Sequence, residues 1–116
     1  MGVRKDNPPV RKENLAGGTG VVNVRYLLED GELYNKGKMF AKVSLDPGAS
    51  IGWHEHFDEV EYYYILSGKG KFTNPDGTVS DVVPGDVCTM CPDQGHAIAN
   101  TGDEPLVFMA LILYNK

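Results

Sequence analysis

The sequence predicts an all-β fold, a sandwich or a double-sheet barrel, on three observations. Short runs rich in β-branched and aromatic residues recur along the chain at roughly 8 to 12 residue spacing. No segment after residue 20 has a sustained apolar period of 3.6 residues. Fourteen glycines and seven prolines supply the breaks. Because 116 residues is about the size of one domain, we expect these strands to share a single core.

Each predicted strand is bounded by turn residues. The hairpin is the clearest case: Asn74-Pro75-Asp76-Gly77 has proline at the second and glycine at the fourth position, as in a type I turn. Alternating or continuous apolar runs define the others. The predicted strands cover, in chain order, residues 21–28, 39–45, 61–68, 70–73, 78–83, 84–90, 96–100 and 106–114.

Composition excludes several classes of function. The formal net charge of -5 and the scattered basic residues argue against nucleic-acid binding, which usually needs a basic patch. The start of the chain lacks the apolar core of a signal peptide, and the longest apolar run, residues 106–114, is too short to span a bilayer. We therefore expect a cytoplasmic protein that contacts no membrane. Residues 1–18 mix basic residues, acids and prolines, and we expect a flexible or docking N-terminal arm before a domain at residues 19–116.

Two cysteines, Cys88 and Cys91, lie three positions apart. On a strand that spacing separates their Cα atoms by about 10 Å, which is too far for a disulfide. A zinc site would need a second pair that the chain lacks. We expect two reduced cysteines that behave as small hydrophobic residues.

Five further positions are expected to have structural or surface roles. Phe72 and Met90 are expected in the core, and Asn100 is expected to support a turn. Asp58 and Glu59 are expected to be surface acids rather than a catalytic base.

The segment GWHEHFDEVE, residues 52–61, holds two of the three histidines and four acids. On an extended strand His54 and His56 point to the same side, whereas Glu61 has the opposite parity. A bend or bulge within residues 57–60 is therefore needed if all three are to face one point. Glu61 would share its strand face with Tyr63 and Ile65, where an ionised carboxylate is costly unless it is paired or bound to a metal. A solvated His-x-His loop beside acids is the alternative interpretation.

Two motifs resemble those of the cupin superfamily. Residues 48–68 resemble its first motif, with Gly48, His54, His56, Glu61 and Gly68 at the family spacing. Residues 85–100 resemble its second motif and keep Gly85, His96 and Asn100. Pro92 is one position late and Gly95 directly precedes the histidine, which puts the shape of that loop in question more than the histidine itself. The resemblance covers residues 20–114 once the flanking strands are included.

The resemblance implies a double-stranded β-helix, or jelly-roll barrel, with one divalent metal held by His54, His56, Glu61 and His96. Three imidazoles and a carboxylate suit Mn, Fe, Ni, Co or Zn better than Ca or Mg. Four ligands leave two octahedral positions open for water, dioxygen or a chelating substrate. A closed structural metal site is the alternative, and a Cys91 thiolate at the metal is a second one.

Proteins that resemble this one include dioxygenases, decarboxylases, lyases, isomerases and non-catalytic binding modules, so fold alone cannot select a function. The leading hypothesis is a metal-dependent enzyme acting on a small polar or anionic metabolite. The alternative is a sugar-binding or effector-binding barrel without catalysis. Tyr63 and Trp53, together with Ile65, are candidates to line the cavity beside the metal, and plain core packing is the alternative for each. Lys42 and Arg25 lie on predicted strands whose facing the sequence leaves open.

The strand at residues 21–28 is apolar on both parities, which an exposed edge strand in a monomer rarely tolerates. We therefore expect a homodimer in which this strand, together with the basic arm, packs on or adds to the partner's sheet. Coverage by a helix or loop of the same chain is the alternative.

Overall fold

A computed structural model describes residues 2–115 and is nearly all-β, as the sequence predicts. It contains one short 3-10 helix at Leu15–Gly17. Within the described residues the strands are β1 Val10–Glu13, β2 Val21–Tyr26, β3 Gly37–Leu45, β4 Ser50–Glu55, β5 Glu59–Ser67, β6 Gly70–Thr73, β7 Val79–Val82, β8 Val87–Cys88, β9 Gly95–Asn100 and β10 Leu106–Tyr114.

The strands form two sheets, in the order β1-β2-β3-β10-β5-β8 and β4-β9-β6-β7. This is a double-stranded β-helix with the apolar core between the sheets. Strand β10 pairs with both β3 and β5 and therefore forms the middle of the larger sheet. Its inner face is fully buried at Leu106, Phe108 and Ala110, and the alternate residues are only partly covered. That period of two is the pattern from which the strand is predicted.

The predicted hairpin is confirmed. The Gly77 amide donates to the Asn74 carbonyl at 2.9 Å, which closes the turn between β6 and β7. Gly77 has a φ of 88°, a conformation that a residue with a Cβ adopts only with strain. Phe72 and Met90 are buried, as expected.

Asn100 has the supporting role that the sequence suggests. Its side-chain amide donates to the carbonyls of Leu45 at 2.9 Å and Glu104 at 2.8 Å, and its Oδ1 accepts from the Gly102 amide. These bonds fix the turn between β9 and β10 against the end of β3. Both cysteines are free, with Cys88 buried and Cys91 exposed. Burial raises the pKa of the Cys88 thiol to about 11, so this residue is an inert core side chain.

The N-terminal segment lies against the barrel over much of its length. Strand β1 pairs antiparallel with β2, so the free edge of β2 is covered by the same chain and not by a partner. This corrects the expectation that β2 is an edge strand. The 3-10 helix packs on β4 so closely that a Cβ on Gly52 would lie 2.2 Å from the Ala16 carbonyl oxygen. A domain boundary at residue 18 stays a prediction.

Residues 2–115 contain no helix that is long and apolar enough to cross a membrane.

Candidate metal centre

The bend predicted after His56 is present. Strand β4 ends at Glu55 and β5 begins at Glu59, and between them Asp58 adopts a left-handed φ of 58°. Because the chain bends at Asp58, Glu61 can face the same point as His54 and His56 despite its opposite parity. Glu61 lies on the inner face of β5 with Tyr63 and Ile65. The outer-facing Tyr64 is half-exposed, as the alternation requires.

The loop before His96 supports this bend. The Asp58 amide donates to Asp93 Oδ1 at 2.9 Å, and the His56 amide donates to the Gln94 carbonyl at 3.0 Å. The Asp93 amide returns a bond to the His56 carbonyl. The departure from the second cupin motif therefore falls in a loop that is bonded directly to the first motif.

Strand pairing places the remaining histidine. His54 and His96 are cross-strand partners in the β4–β9 pair, after a register shift between Ile51 and His54. Side chains that lie opposite each other on antiparallel strands share a face. His96 therefore points into the barrel beside His54, where it is fully buried.

The four predicted ligand residues meet at one point. The distances to Glu61 Oε1 are 2.9 Å from His96 Nε2, 3.0 Å from His56 Nε2 and 3.4 Å from His54 Nε2. The two nitrogens His54 Nε2 and His96 Nε2 lie 3.0 Å apart. All four ligand atoms are within 4.8 Å of one another, and the set could hold a metal ion.

Hydrogen bonds at the outer ring nitrogens assign the histidine tautomers. His54 Nδ1 lies 2.8 Å from the Gly52 carbonyl, and His56 Nδ1 lies 2.7 Å from Glu59 Oε1. Both partners are acceptors, so both Nδ1 atoms carry the proton. In the neutral rings Nε2 is then an acceptor that faces the Glu61 carboxylate, itself an acceptor. A cation or a proton between them is required to relieve the repulsion.

Burial and charge act in opposite directions on the ionisation of the cluster. Burial opposes ionisation of Glu61, but the contacts of its carboxylate with the imidazoles of His54, His56 and His96, which can each supply a proton when charged, outweigh burial and hold the pKa of the carboxyl well below its usual range. The pKa of His56 is raised by its hydrogen bond to Glu61 and by Glu59. Burial lowers the pKa of His96, which favours its neutral imidazole.

Glu59 corrects the expectation of a surface acid. Asp58 is exposed as predicted, but Glu59 is buried at 9% exposure and accepts the His56 Nδ1 proton. Lys38 Nζ lies 3.7 Å from the same carboxylate oxygen. A carboxylate that orients a ligand imidazole is common at metal sites. The position three residues after His56 is the sequence signal that could have identified it.

Tyr63 contacts the cluster directly. Its hydroxyl donates to Glu61 Oε1 at 3.1 Å, and its ring stacks on His96 with 5.1 Å between centroids. Burial raises the pKa of this phenol well above its usual range, and the Glu61 charge adds to the effect. Tyr63 therefore remains a neutral donor that orients the carboxylate.

Trp53 does not line the cavity. It precedes His54 on β4, so its side chain points to the opposite, outer face, where it is 46% exposed. Its indole lies over Gly95, where an added Cβ would be 2.5 Å from the ring. Ile65 lies in the core instead of lining the cavity.

The cluster opens into a cavity of about 420 Å³ between the sheets. Lys12 and Lys38 line it, and the sequence identified neither. Lys42 is exposed elsewhere and Arg25 donates to the Asn7 carbonyl, so neither reaches the cavity. The remaining lining residues are mostly apolar: Leu15, Ala16, Val24, Tyr26, Met39, Val43, Ile51, Tyr63, Phe108, Ala110 and Ile112.

Comparison with known proteins identifies the class. A family model described as a cupin domain matches residues 41–112, more than half of the chain. The chain therefore belongs to the cupin family, as both motifs indicate.

Three individual proteins of known name or structure are similar to this chain. An oxalate-binding protein of Thermotoga maritima is 41% identical over 105 residues, 90% of this chain and 86% of the relative. A solved Thermotoga maritima structure, described as a predicted oxalate decarboxylase, superposes with a TM-score of 0.88 at 40% identity over 91% of both chains. A glucose-6-phosphate isomerase of Thermococcus onnurineus is 38% identical over 72% of this chain, which spans 48% of that protein.

Proposed function

We propose that this cupin binds one divalent transition metal through His54, His56, Glu61 and His96. The supporting observation is the convergence of three imidazole nitrogens and one carboxylate oxygen, in which the outer hydrogen bonds of His54 and His56 leave both of their Nε2 atoms as acceptors in the neutral rings. The donor set of three imidazoles and a carboxylate suits Mn, Fe, Ni, Co or Zn. Such an ion, when bound, would supply positive charge and open coordination positions for a chelating anion.

The ligand that the site best supports is a small chelating carboxylic acid of the oxalate class. One relative is named an oxalate-binding protein and matches 90% of this chain. Among the described residues lining the cavity, Glu61 is the one carboxylate, and two lysines are present. An acidic ligand would therefore meet attraction and not repulsion beyond the metal centre.

Metal-dependent catalysis is the second candidate. It is favoured by a 37% identity over 75 residues to an oxalate decarboxylase of Bacillus subtilis, of which this chain spans 20%. Against it, the described lining residues outside the ligand set include no imidazole or carboxylate to move a proton. Binding is therefore the function that we place first.

We expect His96→Ala to abolish stoichiometric metal binding and to leave the barrel folded. Glu61→Gln should weaken binding less, because an amide oxygen can coordinate but brings no charge. Metal content after equilibrium dialysis and circular dichroism measure the two properties. Glu55→Gln is the matched control, since Glu55 is exposed and points away from the cluster. Full metal affinity in His96→Ala would refute the ligand assignment.

The affinity of the site for metal should depend on pH. Hydrogen bonds to Glu61 and Glu59 raise the pKa of His56, so protons compete with the metal for this ring from a pH above its ordinary value. Metal affinity is thus expected to fall as the pH is lowered, and to be weak below about pH 6.

Glu59→Gln should lower metal affinity by about 10-fold to 100-fold, because the amide holds the His56 Nδ1 proton more weakly than the carboxylate does. Asp58→Asn is the control, because its side chain is an exposed neighbour. Competition against a chromogenic chelator measures both affinities. Equal affinities in the two variants would show that Glu59 does not orient His56.

Oxalate should perturb the visible spectrum of the cobalt-loaded protein and release heat in calorimetry with the manganese-loaded protein. Acetate, which chelates poorly, is the control ligand. An unchanged spectrum would indicate a closed structural metal site and would exclude the proposed function. Formate in the reaction mixture, measured enzymatically, would move the assignment from binding to decarboxylation.

Homodimerisation and a cytoplasmic location also remain proposals. The dimer is supported by the outer face of the larger sheet, where Tyr64, Leu66 and Val87 are half-exposed, with Tyr64 and Val87 paired across β5 and β8. Light scattering at micromolar protein should give twice the chain mass, and Tyr64→Glu should halve it. Val79→Glu, on the other sheet, should not. A monomeric mass for the unaltered protein would refute the dimer.

A further inference from the structure

We infer that Lys12 is a specificity-determining residue that binds the distal anionic group of a ligand whose chelating end lies at the metal centre. The inference rests on the proposed function and makes it more specific. Its ligand class is a dicarboxylate with a chelating 2-oxo or 2-hydroxy acid at one end, a short apolar chain and a terminal carboxylate.

Strand register directs Lys12 into the barrel. Lys12 is the cross-strand partner of Val22, which is fully buried on the inner face of β2. Because cross-strand partners share a face, the lysine also points inward. It is only partly exposed, whereas its neighbours Arg11 and Glu13 are exposed and ion-paired with each other.

Lys12 differs from the other lysine of the cavity in having no acidic partner. Lys38 lies 3.7 Å from Glu59, so its charge is partly balanced within the protein. No carboxylate among residues 2–115 forms an ion pair with Lys12. A partly buried ammonium group without a counter-charge is unfavourable unless an anion supplies one.

The path between the two ends of the cavity is apolar. Lys12 on β1 and Glu61 on β5 lie four strands apart in the larger sheet, and both line the same cavity. The inner-face residues of the intervening strands include Val24, Val43 and Ala110. A ligand that reaches both ends therefore needs an apolar middle section.

Cavity size favours such a ligand over oxalate alone. The volume of about 420 Å³ lies within the range of roughly 300–1,000 Å³ that is usual for sites of larger molecules. Oxalate has two carboxylates joined directly, whereas the strands that carry Lys12 and Glu61 are separated by four strand spacings of about 4.8 Å each, so an oxalate bound at the metal centre is too short to bridge to Lys12. A longer diacid uses both charged ends and the apolar wall.

An alternative role for Lys12 is to protect a sheet edge. Strand β1 is the edge of the larger sheet, and inward-pointing charges on edge strands block association with other chains. If Lys12 only protects the edge, ligand affinity should not depend on it. A binding experiment with Lys12 variants therefore distinguishes edge protection from ligand binding.

The experiment measures affinities of the manganese-loaded protein by calorimetry. The ligands are 2-oxoglutarate, 2-oxoadipate and 2-oxopimelate, each compared with the 2-oxo monocarboxylate in which a methyl replaces the terminal carboxylate. The variants are Lys12→Met, which keeps the length and loses the charge, and Lys12→Arg, which keeps the charge. Lys42→Met is the control on an exposed position. Metal content and oxalate affinity are measured for every variant.

At least one diacid should bind the unaltered protein about fivefold to tenfold more tightly than its monoacid, a difference that salt reduces. Lys12→Met should remove this preference and Lys12→Arg should retain part of it, neither should change metal content, and any loss of oxalate affinity should be smaller than the loss of diacid affinity. Oxalate binding without any diacid preference, or a preference that survives in Lys12→Met, would overturn the role of Lys12 alone. Failure of the unaltered protein to bind both metal and oxalate would overturn the proposed function with it.

Discussion

The buried carboxylate of Glu61 is the constraint on which the arrangement of this barrel depends. It lies on an inner strand face beside Tyr63 and Ile65, where an unpaired charge would be strongly destabilising. Three imidazoles and one phenol surround its oxygen within 3.4 Å. They come from both sheets and from the bend between β4 and β5, so the compensating groups assemble only when the sheets close on each other. The ionisation of one side chain is thereby linked to the complete fold.

The groups outside the cluster determine what its atoms can bind. The Gly52 carbonyl and Glu59 fix the protons of His54 and His56 on the outer nitrogens, whereas burial keeps His96 neutral. The Nε2 atoms of His54 and His56 consequently present lone pairs toward Glu61, an arrangement that suits a cation as the shared partner. Asp93 and Gln94 bond the second-motif loop to the bend, so a shift of either motif would move the histidines of both.

The alternation of apolar and polar residues along the chain predicted which strand faces are buried. The faces of β5 and β10, the bend before Glu59 and the turn at Asn74 all follow from residue type and parity. The ligand set was implied by the resemblance to the cupin motifs, but its convergence depends on which strands pair. Parity alone would have placed Trp53 on the face opposite His54 and Glu59 on the face of Glu61. The sequence does not encode their partners, Gly95 and His56, because those contacts form only in three dimensions.

Two parts of the chain contribute residues to the cavity. Metal-cluster residues lie within residues 41–112, the part that the cupin family model matches. Lys12, Leu15 and Ala16 come from the N-terminal segment, outside that part, and close the cavity from the edge of the larger sheet. A substitution there can change the charge and length of the cavity without moving any of the four cluster residues. In the function proposed here, selection among chelating ligands would therefore be separable from metal binding, because the residues assigned to the two roles lie on different strands.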